Sequence, residues 1–183
     1  IYNRALSSSE VSELYELEKP ELLLNEGLVA YYPFNGNAND QSGNNNNGIV
    51  NGATVTADRN GNNNGAYSFD GNDYIDFGDK LDIGSSSFTM STWLKLSNLE
   101  NQAIIAKGQS GQTNPPESGY IISIDNGKIG IRYHDDQSRG LTASSTIDSL
   151  NTWVHLVYKL SREGDNSTLK LFLNGELISS DTG

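Results

Sequence analysis

Cysteine is absent from the 183 residues, and its absence excludes disulfides, thiolate nucleophiles and thiolate metal ligands together. Basic residues are scarce: 12 Lys and Arg stand against 23 Asp and Glu, for a formal net charge of -11. A field of that sign repels phosphate backbones and anionic lipid, so nucleic acid is not expected as a partner. Only 2 His are present, too few for a His-rich metal centre. No run approaches the ~20 consecutive apolar residues that a spanning helix needs, so no membrane span is expected. Hydrophobic residues make up 35% of the chain and the mean hydropathy is -0.52. The 9% of aromatics, gathered into dense apolar runs, nevertheless argue for a packed core and place the polarity in loops. Ile1 follows no Met, basic stretch or apolar leader, so the chain reads as a processed product or an excised fragment. Its length fits one domain.

What is present divides into two unequal parts. Ser7, Ser8, Ser9 and Glu10 match a capping box, with Leu6 and Val11 at the staple positions. Val11, Leu14 and Tyr15 then repeat at the spacing of a one-sided amphipathic helix, and Pro20 closes it, which predicts a short helix over residues 8–17. From Gly27 the period changes to two. Strands are predicted at 28–34, 66–69, 74–77, 88–96, 103–107, 120–124, 128–133, 153–160, 169–173 and 176–179, separated by Gly, Asn and Ser clusters. No helical crossovers intervene, so an antiparallel sandwich is expected rather than a doubly wound sheet. Asp125-Asn126-Gly127 and Asn174-Gly175 each join two such runs, and Asn-Gly tolerates the positive φ angles of a two-residue hairpin turn. Residues 35–51 and 58–65 are dominated by Asn and Gly, cannot bury enough apolar area to offset their ordering entropy, and read as solvated loops.

Four blocks carry a resemblance: Gly27 through Asp40, with Ser42-Gly43-Asn44; Ser68-Phe69-Asp70-Gly71-Asn72-Asp73-Tyr74-Ile75; Phe88-Thr89-Met90-Ser91-Thr92-Trp93; and Trp153-Val154-His155-Leu156. In this order they resemble the bacterial laminin-G-like jelly rolls of the concanavalin A-like lectin/glucanase superfamily. The resemblance runs from Gly27 to the C-terminus and implies an all-β, antiparallel jelly-roll β-sandwich, here with one short N-terminal helix. Such domains are mostly modules of secreted or surface multidomain proteins, where they adhere, bind glycans or space other domains. The resemblance therefore implies an extracellular or cell-surface location, with a glycan, a surface protein or neighbouring domains of the same polypeptide as partners. Ile1 to Val11 resembles the closing strand and helix of the same family, placed first instead of last. Residues 1–26 are thus either the end of a preceding tandem repeat or a permuted element of this domain, and 27–183 form a sandwich truncated at its C-terminus. Residues 1–6 are expected as a strand against a sheet edge beside residues 28–34, in cis or by exchange with a neighbouring chain, where unpaired backbone groups would otherwise invite aggregation.

Glucanases of this superfamily carry two Glu with an intervening Asp on alternate positions of one strand, both carboxylates facing the cleft. Nothing like Glu-x-Asp-x-Glu occurs here, and the runs 88–96 and 153–160 contain no carboxylate. The expectation is no enzyme, with a spacer in a repeat array or a degenerate hydrolase as the alternatives to a binding module. Calcium is the expected cofactor, because hard cations want clustered oxygens. The candidate ligands are Asp40 with Asn35 and Asn37, joined by Asp70 or Asp73, and the competing reading is an Asx-turn at Asp40 with the Asn residues in left-handed turns. Strand parity supplies candidate ligand-binding residues. Val154, Leu156, Tyr158 and Leu160 share one face and are expected in the core with Phe88, Met90 and Leu94. Trp93, Trp153 and His155 share the other, where indoles stack on sugar C–H faces, unless the sheet fills that face with its own aromatics. Arg132 and His134, at the end of a hairpin strand, complete the candidates.

Overall fold

The computed structural model describes residues 26–82, 86–108, 119–134 and 140–183. The expected helix over 8–17 and the expected strand over 1–6 lie outside the described residues. The strands are β1 Ile49–Asn51, β2 Thr54–Thr56, β3 Ala66–Ser68, β4 Tyr74–Asp76, β5 Phe88–Lys95, β6 Gln102–Lys107, β7 Gly119–Asp125, β8 Lys128–His134, β9 Gly140–Thr146, β10 Trp153–Glu163, β11 Asn166–Leu173 and β12 Glu176–Thr182. All pairings are antiparallel. Two four-stranded sheets, ordered β12-β11-β10-β5 and β6-β7-β8-β9, form the two layers, and β1-β4 and β2-β3 are two-stranded ladders beside them.

Alternation decides which side chains meet between the layers. From the first sheet, Val154, Leu156, Tyr158 and Leu160 of β10 and Leu169 and Leu171 of β11 are buried, at 0–1% exposure. From the second come Ile122 and Ile124 of β7, Ile129, Ile131 and Tyr133 of β8, and Leu141 and Ala143 of β9. All belong to one core cluster, with Phe88, Met90 and Leu94 of β5 packed against it. The inward set expected of β5 and β10 is the set observed. Phe88 bridges the layers, its ring 6.0 Å from Tyr120 and 6.1 Å from Tyr133. Arg162 of β10 reaches across to the Tyr133 hydroxyl and donates to it. Along one side the layers are joined where the Thr142 N–H of β9 donates to the Asp181 carboxylate of β12 at 2.9 Å.

Both expected hairpins form. Asn126 and Gly127 have φ of 50° and 75°, Asn174 and Gly175 have 49° and 86°, and these are the positive angles a two-residue turn requires. A third hairpin, β10 to β11 with Glu163 opposite Asn166, turns at Gly164 and extends both strands beyond their expected ends. Strands β1, β2 and β9 have no counterpart in the sequence reading. In β9, Leu141 and Ala143 are the inward residues and the rest are small or polar, so the period-two signal is weak.

One expected strand is corrected. Residues 28–34 enter no ladder, because their backbone groups are taken by side chains of the Asn-rich segment. Val29 O accepts from Asn44 Nδ2, Asn46 Nδ2 and the Ser42 hydroxyl, and Leu28 O accepts from Asn44 Nδ2. Tyr31 donates its N–H to Asp40 and accepts from Gln41 N–H. Residues 35–48 are therefore not simply solvated: the Asn side chains do for the neighbouring backbone what a partner strand would do. Under this layer Tyr32 packs on Phe77 at 4.6 Å and Phe34 meets Tyr67 edge-on at 5.4 Å. At Gly48 the backbone passes close against this layer, since a Cβ there would lie 2.6 Å from Ile75 and 2.7 Å from Phe77. Lys107 of β6 holds the 77–82 stretch by ion pairs to Asp79 at 2.9 Å and Asp82 at 3.2 Å.

Candidate binding face

The candidate site lies on the outer face of β5 and β10, away from the core. In the β5-β10 ladder Trp93 stands opposite His155 and Lys95 opposite Trp153, so both tryptophans of the chain and one of its histidines share this face. Trp93 keeps 42% of its surface exposed. Its ring stacks on that of His155 at 4.9 Å with 24° between the planes. The Lys95 ammonium lies 5.6 Å from the Trp153 ring.

Two further residues meet these rings, and one of them escapes a reading of the sequence. The Ser91 hydroxyl is 2.7 Å from His155 Nε2, and alternation alone had already put both side chains on one face. The Arg59 guanidinium sits 4.6 Å from the Trp93 ring centroid. Arg59 lies in the Asn-rich loop between β2 and β3, and nothing local in the sequence ties it to β5. That loop is folded back by Asp58, whose Oδ1 accepts from the N–H groups of Asn60 and Asn62 and whose Oδ2 accepts from Asn62 Nδ2. Behind the face, Asn174 at the β11-β12 turn accepts from His155 N–H and donates its own N–H to His155 O, which fixes the strand carrying the ring.

The Ser91–His155 pair has the separation of a nucleophile and its base, but the remaining parts of an acyl-transfer site are lacking among the described residues. No carboxylate hydrogen-bonds to the imidazole, and both residues lie within paired strands rather than at a helix N-terminus where backbone donors would gather. What the arrangement can do chemically is present flat aromatic surface, hydroxyls and positive charge together.

Arg132 and His134 do not join this face. They alternate with the buried Ile131 and Tyr133 of β8 and point outward from the other sheet, so the sandwich core separates them from Trp93. Arg132 has Asp125 at 3.9 Å, a loose and exposed ion pair.

The five oxygen-bearing residues considered for calcium are placed as follows. Asp40 Oδ1 accepts from Tyr31 N–H and Ser42 N–H, and Oδ2 accepts from the Ser42 hydroxyl and Asn46 N–H, all at 2.9 to 3.0 Å. Burial works to raise the Asp40 pKa, but these donors outweigh it and hold the carboxyl at about 2. The contact with Ser42 N–H, two residues on, is the Asx-turn. A carboxylate with two donors on each oxygen has no lone pair left for a cation unless some of those bonds break. Asn37 donates to Asn35 O and accepts from Asn39 N–H. Asp73 accepts from Asp70 N–H, and Asp70 from Asn72 N–H, within a separate turn. Among the described residues no three His, Asp or Glu converge on a metal position. Beside Asp40, the Tyr32 hydroxyl donates to Asn46 O at 2.6 Å, and burial, then the Asp40 charge, then Tyr120 push its pKa up to about 12.

Compared with known families, residues 69–183 match a laminin-G-like family model described as the concanavalin A-like lectin/glucanases superfamily. The match takes in both four-stranded sheets and β4. No curated protein matches the chain.

Proposed function

This chain belongs to the laminin-G-like family of the concanavalin A-like lectin/glucanases superfamily, and from that premise we propose that it is a non-catalytic, glycan-binding module of a secreted or cell-surface multidomain protein. The observation that carries the reading is the exposed Trp93 on the outer face of β5 and β10, framed by His155, Ser91, Trp153 and Arg59. A largely apolar ring with polar groups around it suits a sugar, which offers a C–H face and a rim of hydroxyls.

Arg59 lies over the surface of the indole, which favours the second reading of a spacer whose face is filled from within. The magnitude favours binding. A cation–π contact at an exposed site is worth roughly 0.5–1 kcal/mol, and Arg59 is exposed on a loop, so a ligand displaces it at small cost. The non-catalytic part rests on the strand sequences: none of Thr89, Ser91, Trp93, Lys95, Trp153, His155, Val157 and Lys159 is a carboxylate.

A glycan panel probed with the wild-type protein and with Trp93→Ala tests the proposal. Binding that falls about tenfold or more in the variant is expected, a loss of about 1.4 kcal/mol or more. A panel with no binder, or a binder indifferent to Trp93, leaves the spacer reading in its place.

A further inference from the structure

The outer face of the first sheet carries a charge pattern at odds with the rest of the chain. Lys159 of β10 stands directly opposite Lys170 of β11, and like charges directly opposed across a ladder destabilise it. Neither ammonium has a carboxylate within ion-pair distance among the described residues. Thr89 of β5 lies on the far side of Lys159 and Ser180 of β12 on the far side of Lys170, so hydroxyl-bearing residues flank the two charges. Six residues back along β10, about 20 Å at strand rise, Lys95 lies beside Trp153 and Arg59 over Trp93. Four of the 12 Lys and Arg of a chain with net charge -11 thus meet on one face. Among the outward positions of its ladders the one carboxylate is Glu163, beyond Lys159 at the hairpin turn.

We propose that this face binds an acidic polysaccharide whose carboxylates are separated by neutral sugars, with uronic-acid glycans as the class. The inference rests on the glycan-binding reading and adds the ligand's charge to it. Trp93 and Trp153, whose rings Arg59 and Lys95 approach, take neutral rings, and the Lys159–Lys170 pair takes a carboxylate, which turns a repulsive rung into a charge-assisted one. Net charge decides the spacing. A dense polyanion such as duplex DNA, with one charge per ~1.7 Å, would carry most of its charges past a strongly negative protein, whereas a sparse one meets the protein only where the cations are. An acidic peptide gains little at the lysine pair, because β10 and β11, which carry Lys159 and Lys170, are each paired on both sides within the sheet and offer it no ladder.

The test is titration of the protein with hyaluronate oligomers, in which each glucuronate alternates with a neutral sugar, and with the same oligomers after reduction of their carboxyls to alcohols, at low and high salt. The acidic form should bind about tenfold tighter at low salt, and screening should shrink that advantage at high salt. In the double variant Lys159→Gln, Lys170→Gln the acidic oligomer should weaken about tenfold while the reduced one is unaffected. The melting temperature of that variant should hold or rise by about 1–3 °C, since the repulsion is gone. Equal binding of the two oligomers, or an unchanged affinity in the double variant, overturns the inference, as does equally strong competition by polyaspartate or by anionic vesicles. If the reduced oligomer binds in a Trp93-dependent way with no preference for acid, the glycan-binding reading stands and only the charge assignment falls. Binding by neither oligomer removes both.

Discussion

Asp40→Asn separates a structural carboxylate from a calcium ligand. Four donors converge on the two Asp40 oxygens, from Tyr31, Ser42 twice and Asn46. An Asn has one oxygen and an NH2 group, so two of the four donors lose their acceptor and face another donor. At ~1 kcal/mol for each lost bond, partly recovered from water, the expected cost at pH 7 is about 2 kcal/mol. The dependence on acid gives the sharper readout. A pKa lowered from 3.8 to about 2 amounts to about 2 kcal/mol at full linkage, and screening of a partly solvated carboxylate reduces it to ~1 kcal/mol. Because the folded state holds the lower pKa, that stability is present above pH 3.8 and is lost as pH falls through 2. The gap between wild type and variant should therefore narrow by ~1 kcal/mol from pH 7 to pH 2, while the other acid-sensitive groups cancel between the two proteins. Urea unfolding followed by tryptophan fluorescence at both pH values measures it. An unchanged midpoint in the variant, or a gap as wide at pH 2 as at pH 7, refutes the donor-cage account. The same titrations with calcium and with EDTA should coincide for both proteins. A calcium-dependent rise in the wild type that Asp40→Asn abolishes would show a cation on this carboxylate instead.

The Tyr158 hydroxyl is buried without a hydrogen-bond partner among the described residues, and burial pushes its pKa above the usual phenol range. Tyr158→Phe should therefore raise the melting temperature by about 2–4 °C, the equivalent of ~1 kcal/mol in a chain of this length; a fall in a thermal melt would mean the hydroxyl has a buried water as partner. Leu156→Ala should cost about 2–5 kcal/mol by chemical denaturation, whereas Val157→Thr one residue on should stay within about 0.5 kcal/mol, and equal costs would contradict the assignment of inner and outer faces.

How far the fold could be read from the sequence follows from where each strand gets its partners. In β10, apolar Val154, Leu156, Tyr158 and Leu160 alternate with residues of mixed character, and the core they face is built from equally regular strands, so periodicity alone assigns the inner face. In β9 the inward residues are few and small, and the strand exists because β8 offers it a full ladder of partners from Lys128 to His134. Tertiary pairing overrides weak propensity there. Residues 28–34 are the converse case. They have the apolar content of a strand, yet Asn44, Asn46, Ser42 and Asp40 satisfy their backbone before any strand can. Side-chain capping of that kind depends on which Asn meets which carbonyl, and neither composition nor period encodes it.

The candidate face was legible to the extent that it lies within strands. Alternation brings Trp93, Trp153 and His155 together whatever the tertiary arrangement of the layers, because β5 and β10 are neighbours in one sheet. The same parity argument, applied to Arg132 and His134 of β8, finds their face but not which sheet carries it, and that sheet turns out to be the opposite one. Lys170 escapes because its relevance comes from register: only the β10-β11 hairpin, turning at Gly164, sets it against Lys159. The position of that turn fixes everything beyond it. Moving the register by one residue would set Lys159 against Leu169 or Leu171 and carry the core side of β11 to the outside. Leu169 and Leu171, both fully buried, hold that register in place. The burial that stabilises the sandwich is thus also what keeps two ammonium groups, neither with an ion pair among the described residues, opposite each other on its surface.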